Sequence, residues 1–554
     1  MILVFITFGL LKNFQPMTNK EIAKTFQYLG EIMELHEENQ FKIKSYQNAY
    51  LTLRKLPEPL AEMPAEKIAE IKGVGSAISG KIRELLDTGH LNALKKYEDI
   101  TPPGVREMLE IPGFGPKKIR VIWKDLGVET IGELAYACNE NRLVGLKGFG
   151  QKTQEDLKQK LEYFQKSQGK YLYADLDDEA EKLLPALQAK LPGAKISLAG
   201  AIRRKSNVVE RIEFVIGSDE SIEQIFDNQL LVKTGEEGEA IEAKTPKELP
   251  VRVYRCLKAE FGSKLFRFSA GEEFLEAFLK HANGLDFKGL PEEAAVFEKT
   301  ALPFIEPELR EQAWSLELAK ANRLPKLVEE KDVRGVVHAH STWSDGLNTI
   351  QEMAERCRSL GYEYLGMTDH SKSAFYANGL KEDRLLAQWQ EVDKLNEMLA
   401  PFKIFKGIES DILFDGSLDY ADEILKQFDF VIASVHSILR MDEEKATQRI
   451  IKAVENQYTT ILGHPTGRLL LSRQGYPLDH QKVLDACAAN GVAIELNANP
   501  YRLDLDWTWI PKALEKGILI SVNPDAHSLG GIHDIHYGIA SARKGGLPAS
   551  ACLT

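Results

Sequence analysis

The sequence predicts a multidomain chain with an all-α front and an α/β barrel at the back. Three observations carry that expectation. The chain has 554 residues, which at about 100–200 residues per domain makes three or four domains. Three Gly-apolar-Gly strings recur before residue 151, each leading into a helix-forming run. From Val333 onward, seven apolar runs alternate with helical segments at βα spacing, and each carries a histidine or carboxylate at or near its C-terminal end. The composition, 44% hydrophobic and 27% charged, is that of a globular protein rather than a disordered or membrane one. Five cysteines with no CxxC pair exclude a disulfide scaffold or a cysteine zinc site and fit a reducing cytoplasm.

The net charge of −12 argues, taken alone, against a nucleic-acid binder. It is unevenly spread. The first 170 residues hold 25 Lys and Arg against 22 Asp and Glu, a net of +3, so the rest carries −15. The histidines are skewed too: only His36, His90 and His281 precede His338, and nine of the 12 stand at or after it.

The chain opens on MILVFITFGLL, too short for a membrane span of about 20 residues and without the basic flank or cleavage site of a signal peptide. Met17 opens an ordinary helical start, MTNKEIAKTFQYLGEIMELH, with Thr18 or Asn19 as cap. The expectation is that translation begins at Met17 and that 1–16 are a mis-called extension.

The three repeated strings are IKGVGSAISGKI from Ile71, IPGFGPKKIRVI from Ile111 and LKGFGQKTQEDL from Leu146. Their glycines are Gly73 and Gly75, Gly113 and Gly115, Gly148 and Gly150, and the second glycines are 40 and 35 residues apart. Glycines at a turn before a helix let backbone N–H groups approach an anion, and the helix N-terminus adds partial positive charge. Such turns hold phosphate without a lysine-rich surface and read no base sequence. The strings resemble helix-hairpin-helix DNA-binding motifs. FKIKSYQNAYLTLRKLP (41–57) and GVGSAISGKIRELLDTGHL, from Gly73, resemble the N-terminal domain of family X DNA polymerases. In that family a lysine after the first hairpin forms a Schiff base with an abasic sugar, and Lys81 matches its position. Such a lysine must be deprotonated, with Lys42, Lys72 and Arg83 as candidate cationic neighbours; the plain alternative is a surface lysine on a helix.

The resemblance continues through LAGAIRRKSNVVERIEFVIGSDE (198–220) and implies an α+β nucleotidyltransferase-like palm. The family pattern is Gly-Ser, two arginines, then Gly-Asp-x-Asp on a strand, whose aspartates hold two magnesium ions. Here Gly200 is followed by Ala201, Arg203 and Arg204 remain, Arg211-Ile212-Glu213 replaces Asp-x-Asp, and Tyr254 stands where the third aspartate belongs. The thumb's Thr-Gly-Ser turn reads SAG at 269–271. One carboxylate, one guanidinium and one phenol do not bind two divalent ions, so nucleotide transfer is expected to be lost and the region to persist as a scaffold.

The seven runs at the back place His338, His340, His370, Glu409, His436, His464, Glu495, Asp525 and His527 at strand ends, with gaps of 32, 39, 27, 28, 31 and 30 residues from one strand to the next. In a parallel barrel such residues converge at the C-terminal mouth. Imidazoles mixed with carboxylates suit Zn, Mn or Fe. With Asp345 from the loop HSTWSDG, the candidate ligands are His338, His340, Asp345, His370, Glu409, His436, His464, Asp525 and His527, enough for three ions. Asp369 is a candidate orienter of a ligand, Lys372 and Arg468 are candidate phosphate contacts, and Asn497 and Arg502 are candidate mouth residues; His480, His533 and His536 read as structural or surface residues. The motifs H-x-H, S-D-G, T-D-H-S, G-x-E-x-D, S-V-H, G-H-P, E-x-N and D-A-H resemble the PHP (polymerase and histidinol phosphatase) domain. That resemblance implies a distorted seven-stranded barrel with three divalent metals: one on His338, His340, Glu409 and Asp525, a second on Glu409, His436 and His464, a third on Asp345, His370 and His527. It makes His338, His340, Glu409, His436 and Asp525 the expected catalytic residues.

The organisation as a whole resembles bacterial family X DNA polymerases fused to a C-terminal PHP domain. The expected parts are the extension 1–16, a lyase-like helical domain 17–100, fingers 101–168 with two hairpins, a degenerate palm 169–250, a thumb-like region 251–315, a linker 316–333 and the PHP domain 334–554. The expected function is a metal-dependent phosphoesterase, a 3′–5′ exonuclease or 3′-end processing enzyme of DNA repair. Its partner is DNA with gaps, nicks or 3′ ends, with no membrane, and the chain acts as a monomer. The alternatives are an active gap-filling polymerase, a histidinol-phosphatase-like enzyme on small molecules, and a non-catalytic DNA scaffold.

Overall fold

Apolar residues three and four apart build the front. The structure, a computed structural model, describes residues 17–54, 56, 58–111, 114–146, 148–166 and 169–554, without the side chains of 159 and 162–166. The extension 1–16 and Gly113 lie outside the described residues. Helix α1 (Asn19–Leu35) buries Ile22, Phe26, Leu29 and Met33 on one face, and Thr18 caps it in a reciprocal pair with Glu21. After α2 (Gln40–Leu53) come α3 (Ala65–Glu70), α4 (Ser76–Thr88), α5 (Asn92–Glu98), α6 (Pro103–Met108), α7 (Pro116–Leu126), α8 (Ile131–Asn139) and α9 (Gln151–Lys166). The chain forms two compact units. The first holds the described residues up to Leu134 together with Gly145–Leu161; the second holds Ala135–Val144 together with Glu162–Thr554. The short segment Ala135–Val144, at the end of α8 and just after it, thus packs with the second unit although the chain on both sides of it belongs to the first.

The hairpin turns are built as their glycines require. Gly73 and Gly148 have φ of +90° and +87°, where a side chain would strain the backbone. Gly75 and Gly115 cap α4 and α7, and a Cβ on Gly75, Gly115 or Gly150 would meet nothing within 4 Å. The apolar residues between the glycines, Val74, Phe114 and Phe149, are buried, and Phe114 meets Phe149 edge-on at 6.3 Å. The side chain between the glycines anchors each turn while its backbone faces outward.

The second unit begins with β1 (Tyr171–Leu172), α10 (Tyr173–Lys190), β2 (Lys195–Ala199), α11 (Gly200–Arg203), β3 (Val208–Val209) and β4 (Ile212–Gly217), then β5 (Val232–Glu237), β6 (Ala240–Lys244) and β7 (Pro250–Cys256). β1 pairs with β3, and the other five strands form one mixed sheet in the order β2-β4-β7-β6-β5. β7 pairs in parallel with β4 and antiparallel with β6, so the sheet continues past residue 250 into the stretch expected to be thumb-like. Leu176, Ala180, Leu183 and Leu187, one face of α10, pack on Phe214, Ile216, Val251 and Val253. Next come α12 (Phe261–Ser269) and α13 (Glu272–Ala282), over a core of Phe266, Phe274, Phe278 and Phe297. Within it the fully buried Arg310 pairs with Glu293 at 2.6 Å.

The back is a barrel of seven strands: β8 (Gly335–Val336), β9 (Tyr364–Met367), β10 (Lys403–Asp411), β11 (Phe430–Ser434), β12 (Ile461–Leu462), β13 (Ala493–Asn497) and β14 (Ile520–Asn523). They pair in sequence order, all in parallel. A parallel bridge between Ala339 and Ala526 joins the two outer strands, with the His340 N–H donating to the Ala526 carbonyl at 2.9 Å. The barrel is therefore nearly closed, and its near-continuous apolar strands are buried on both faces as a parallel sheet requires.

His536, on the helix Ile535–Lys544, ties the barrel to α10. Its Nε2 lies 2.8 Å from Asp177 Oδ2 and its Nδ1 lies 2.6 Å from Glu330 Oε1. The hydrogen bond with Asp177, opposed by burial and reinforced by Glu330, raises the imidazole pKa to about 9. A raised histidine pKa stabilises the fold below its unfolded value of about 6.5, and the gain disappears as pH rises through about 9. His536→Gln is expected to lower the melting temperature by roughly 2–4 °C at pH 6 and to have no effect at pH 10, which differential scanning fluorimetry at the two pH values checks.

Candidate metal centre

The mouth of the barrel gathers the strand-end residues because each strand delivers one or two side chains there. His338 and His340 follow β8, His370 follows β9, Glu409 lies in the last turn of pleat of β10, His436 follows β11, His464 follows β12, and Asp525 and His527 follow β14. Glu409 stands at the centre. Its Oε1 is 3.0 Å from His436 Nε2, 3.0 Å from His464 Nε2 and 3.5 Å from His338 Nε2. Its Oε2 is 2.9 Å from His370 Nδ1 and 3.7 Å from His340 Nε2. Asp525 Oδ1 lies 3.0 Å from His340 Nε2 and 3.3 Å from His338 Nε2. Asp345 reaches in from its loop, Oδ2 3.6 Å from His370 Nε2 and Oδ1 3.4 Å from His527 Nε2. All nine sequence-predicted candidates are brought together.

The donor set fits divalent cations. Buried polar atoms are ordinarily hydrogen-bonded, yet His338 Nε2, His340 Nδ1, both ring nitrogens of His370, Glu409 Oε2 and His527 Nε2 make no hydrogen bond. His370 Nδ1 and Glu409 Oε2 are among these despite lying 2.9 Å apart; they are close but misaligned for each other, as atoms facing a shared cation are. At the mouth, four groups have ligand atoms within 4.8 Å of one another: His338, His340 and Asp525; His340, Asp345, His370 and His527; His370, Glu409 and His436; and Glu140, Asp525 and His527. The grouping differs in detail from the expected one, since His370 lies against Glu409 as well as Asp345.

The electrostatics follow from burial and crowding. Burial opposes charge on His338, but Asp525, Glu495 and Glu409 outweigh it and raise the ring well above an ordinary imidazole. Burial opposes charge on Glu409 as well, and His436, His370 and His338 overcome it, holding the carboxyl well below the usual range. His340, buried and beside His527 and His370, is pushed down to about 3.

The surrounding polar residues have definite tasks. Asp369 accepts from Ser341 N and Oγ at 2.8 and 2.7 Å, from Ser344 N at 3.1 Å and from Gln388 Nε2 at 2.7 Å. It orders the loop that carries Asp345, where the sequence suggested that it orients a histidine. Asn497 donates to Asp525 Oδ2 at 3.0 Å. Arg468 is held by Asp506 and by the Arg502 and Leu503 carbonyls, and Lys372 pairs with Glu382 at 2.7 Å, so both are engaged within the protein. His480 stacks on Trp509 at 4.4 Å.

Sequence reasoning passed over residues 135–144. Glu140 Oε2 lies 2.5 Å from His527 Nδ1, and Arg502 donates to the Tyr136 hydroxyl at 2.8 and 3.1 Å. Nothing in YACNENRLVG marks it as part of a barrel, because the contact joins positions more than 350 apart in sequence.

The palm presents different chemistry. Of the three positions where aspartates belong, only Glu213 is a carboxylate, and it accepts from the Tyr254 hydroxyl at 3.0 Å. It fills the space beside Gly200, where a Cβ would fall 1.7 Å from Glu213 Oε2, and Ala201 follows on α11. Arg203 is held by Glu293 at 2.7 Å, Arg204 by Glu311 at 3.1 Å and Arg211 by Glu242 at 3.5 Å. Among the described residues, no cluster suited to a metal draws on this sheet. In the front unit, the half-buried Lys81 donates to the Ala77 carbonyl at 3.4 Å on its own helix, while Arg83 donates to the Met63 carbonyl at 3.4 Å; Lys42 and Lys72 are exposed.

Comparison with known families and proteins agrees with this layout. A helix-hairpin-helix domain matches residues 17–91, a SAM-like helix-hairpin-helix tandem matches 105–162, and a PHP domain matches 337–499. The DNA polymerase/3'-5' exonuclease PolX of Bacillus subtilis is 32% identical over 550 residues, which cover 96% of each chain. A probable phosphatase of Acetivibrio thermocellus is 32% identical over 168 residues, 30% of this chain and 65% of that protein. One from a Thermoanaerobacter species is 32% identical over 203 residues, 34% of this chain and 77% of its own. Among the described residues no helix is long and apolar enough to cross a membrane. With tandem hairpins in front, a mixed α/β middle, a seven-stranded parallel barrel behind and a relative that matches almost from end to end, the chain belongs to the PolX family of family X DNA polymerases fused to a PHP domain.

Proposed function

We propose that this protein is a metal-dependent phosphoesterase that trims or cleans 3′ ends of gapped or nicked DNA, with its chemistry in the PHP barrel and its polymerase centre lost. The observation that carries the reading is the contrast between two sites in one unit. In the barrel, Glu409 faces five imidazoles with unbonded buried atoms around it; in the palm, a single carboxylate is capped by a phenol.

His338, His340 and Asp525 would hold one ion, Glu409 with His370, His436 and His464 a second, and Asp345 with His370 and His527 a third, as Zn, Mn or Fe. Bound there, such ions acidify water and offset charge on phosphoryl oxygens. The protein's own groups set the stage. Glu495 lies 2.6 Å from His338 Nδ1 and Asp411 lies 2.6 Å from His436 Nδ1; an ionised carboxylate only accepts, so these rings carry their proton on Nδ1 and turn Nε2 inward. Asp369 fixes the loop of Asp345. The open backbone of the hairpin turns supports DNA binding through phosphates, without regard to base sequence.

Digestion of 3′-labelled gapped DNA by wild type and His338→Ala tests the proposal. Release of labelled nucleotide by wild type, abolished by chelation and by His338→Ala, is expected; equal digestion by the two proteins would sink it. The two probable phosphatases that match the barrel favour a second reading, a phosphatase on small molecules. A preference for a small phosphomonoester over a DNA 3′ end would establish that reading instead.

A further inference from the structure

Three histidines at the barrel mouth each lie between the cluster and a further carboxylate. In His338, His436 and His527 the Nε2 atom faces the cluster, 3.3 Å from Asp525 Oδ1, 3.0 Å from Glu409 Oε1 and 3.4 Å from Asp345 Oδ1 respectively. In each, the Nδ1 atom lies close to a carboxylate: Glu495 at 2.6 Å, Asp411 at 2.6 Å and Glu140 at 2.5 Å. The first two contacts are hydrogen bonds, whereas Glu140 Oε2 is close to the ring without being aligned to bond it, and His527 Nδ1 bonds the Asp525 carbonyl at 3.0 Å. Two of these carboxylates come from barrel strands β13 and β10. The third comes from residues 135–144, roughly 200 residues before the barrel begins.

Metal-binding imidazoles typically donate their other N–H to a carboxylate, which fixes the tautomer and raises the basicity of the ligating nitrogen. We propose that Glu140 is the positioning carboxylate of His527, the counterpart of Glu495 for His338 and Asp411 for His436. This rests on reading the mouth as a metal centre.

The site is built for that role. Glu140 is 3% exposed, and the Asn499 side-chain amide donates to its Oε1 at 3.3 Å, while its Oε2, which makes no hydrogen bond, lies 2.5 Å from the ring nitrogen. The segment is pinned on either side of Glu140. Tyr136, one helical turn earlier, accepts from Arg502, and Arg142 lies over the Tyr376 ring at 4.9 Å. His527 Nδ1 also lies 3.0 Å from the Asp525 carbonyl, so removing Glu140 leaves the ring one weaker acceptor. The segment runs directly into the third hairpin, whose turn begins at Leu146. The DNA-binding half of the sequence therefore supplies part of the environment of a catalytic metal, and the third ion is held at full strength only when this segment is seated.

The test is Mn²⁺ titration by calorimetry on the metal-stripped full chain. Wild type, Glu140→Gln, Glu140→Asp and the barrel counterpart Asp411→Asn are compared, with melting curves of the stripped proteins alongside. The expected result is one Mn²⁺ bound about 10–100-fold more weakly in Glu140→Gln, the others unchanged, affinity partly recovered in Glu140→Asp, and no change in the stripped protein's melting. Wild-type titration by Glu140→Gln, with one site weakened in Asp411→Asn, would overturn the inference and leave the metal centre standing. Absence of Mn²⁺ binding by wild type would overturn the metal centre itself. If Glu140→Gln melts lower, Glu140→Asp decides, because restored affinity supports a positioning carboxylate and unrestored affinity refutes it.

Discussion

Glu409→Gln is expected to reduce hydrolysis of a 3′-labelled gapped duplex by more than about 100-fold, beyond the 10–100-fold that loss of an outer carboxylate costs. Both oxygens of Glu409 face ring nitrogens, with His370, His436 and His464 at 2.9–3.0 Å. Glutamine keeps the shape and removes the charge, and its amide N–H₂ would point donors at sites that serve a cation. The buried imidazoles that now lower the Glu409 pKa would lose their counter-charge, so the damage reaches every ligand around it. Initial rates and metal content measured on the same samples check this: the rate falls and the bound metal falls with it. A rate within tenfold of wild type, at full metal content, would remove Glu409 from the centre of the chemistry.

Primer extension on gapped DNA is expected to stay at background with Mg²⁺ or Mn²⁺. Arg211 stands two residues before Glu213, and on an extended chain that is about 7 Å. The Arg211 guanidinium occupies a position where a family carboxylate belongs, and its pairing with Glu242 at 3.5 Å and Glu210 at 3.4 Å supplies no ligand to a divalent ion. With only Glu213 left as a carboxylate ligand, the site lacks the donors that two divalent ions need. The arginines of α11 and the residue after it are also engaged, Arg203 with Glu293 and Arg204 with Glu311, which leaves them unsuited to grip a triphosphate. Robust extension in a gel assay would contradict this account of Arg211 and Tyr254.

What the sequence made legible follows local rules. The hairpins could be read because Gly-x-Gly before a helix is a short-range pattern, and each turn is formed as that pattern requires at Gly73 and Gly148. The barrel ligands could be read because strand ends converge in a parallel barrel: periodicity placed His338 through His527 at one mouth without any knowledge of distances. The detail that stayed hidden is long-range. Which histidine faces which carboxylate depends on side-chain direction, so His370 proved to lie against Glu409 as well as Asp345. Asp369, next to a ligand in sequence, turned toward serines of the preceding loop. Glu140 joined the barrel from a stretch whose neighbours on both sides fold elsewhere. The carboxylates that neutralise the palm arginines, Glu293 and Glu311, lie about 90–107 residues away from them.

The bridge between Ala339 and Ala526 has a consequence for how the chain behaves when concentrated. A nearly closed barrel leaves little of its outer strands unpaired, so it offers a poor template for pairing with a second chain. The five-stranded sheet does have free sides, at β2 and β5. β5 meets that hazard with its own sequence: VKTGEE is mostly exposed and polar, its pairing with β6 is broken by an irregularity between Lys233 and Gly235, and Lys233 pairs with Glu236 along its face. Charges and a break in register make an edge a poor partner for self-association. The edge hazard is thus reduced in two ways within one unit, by near closure of the barrel and by a charged, irregular border at β5.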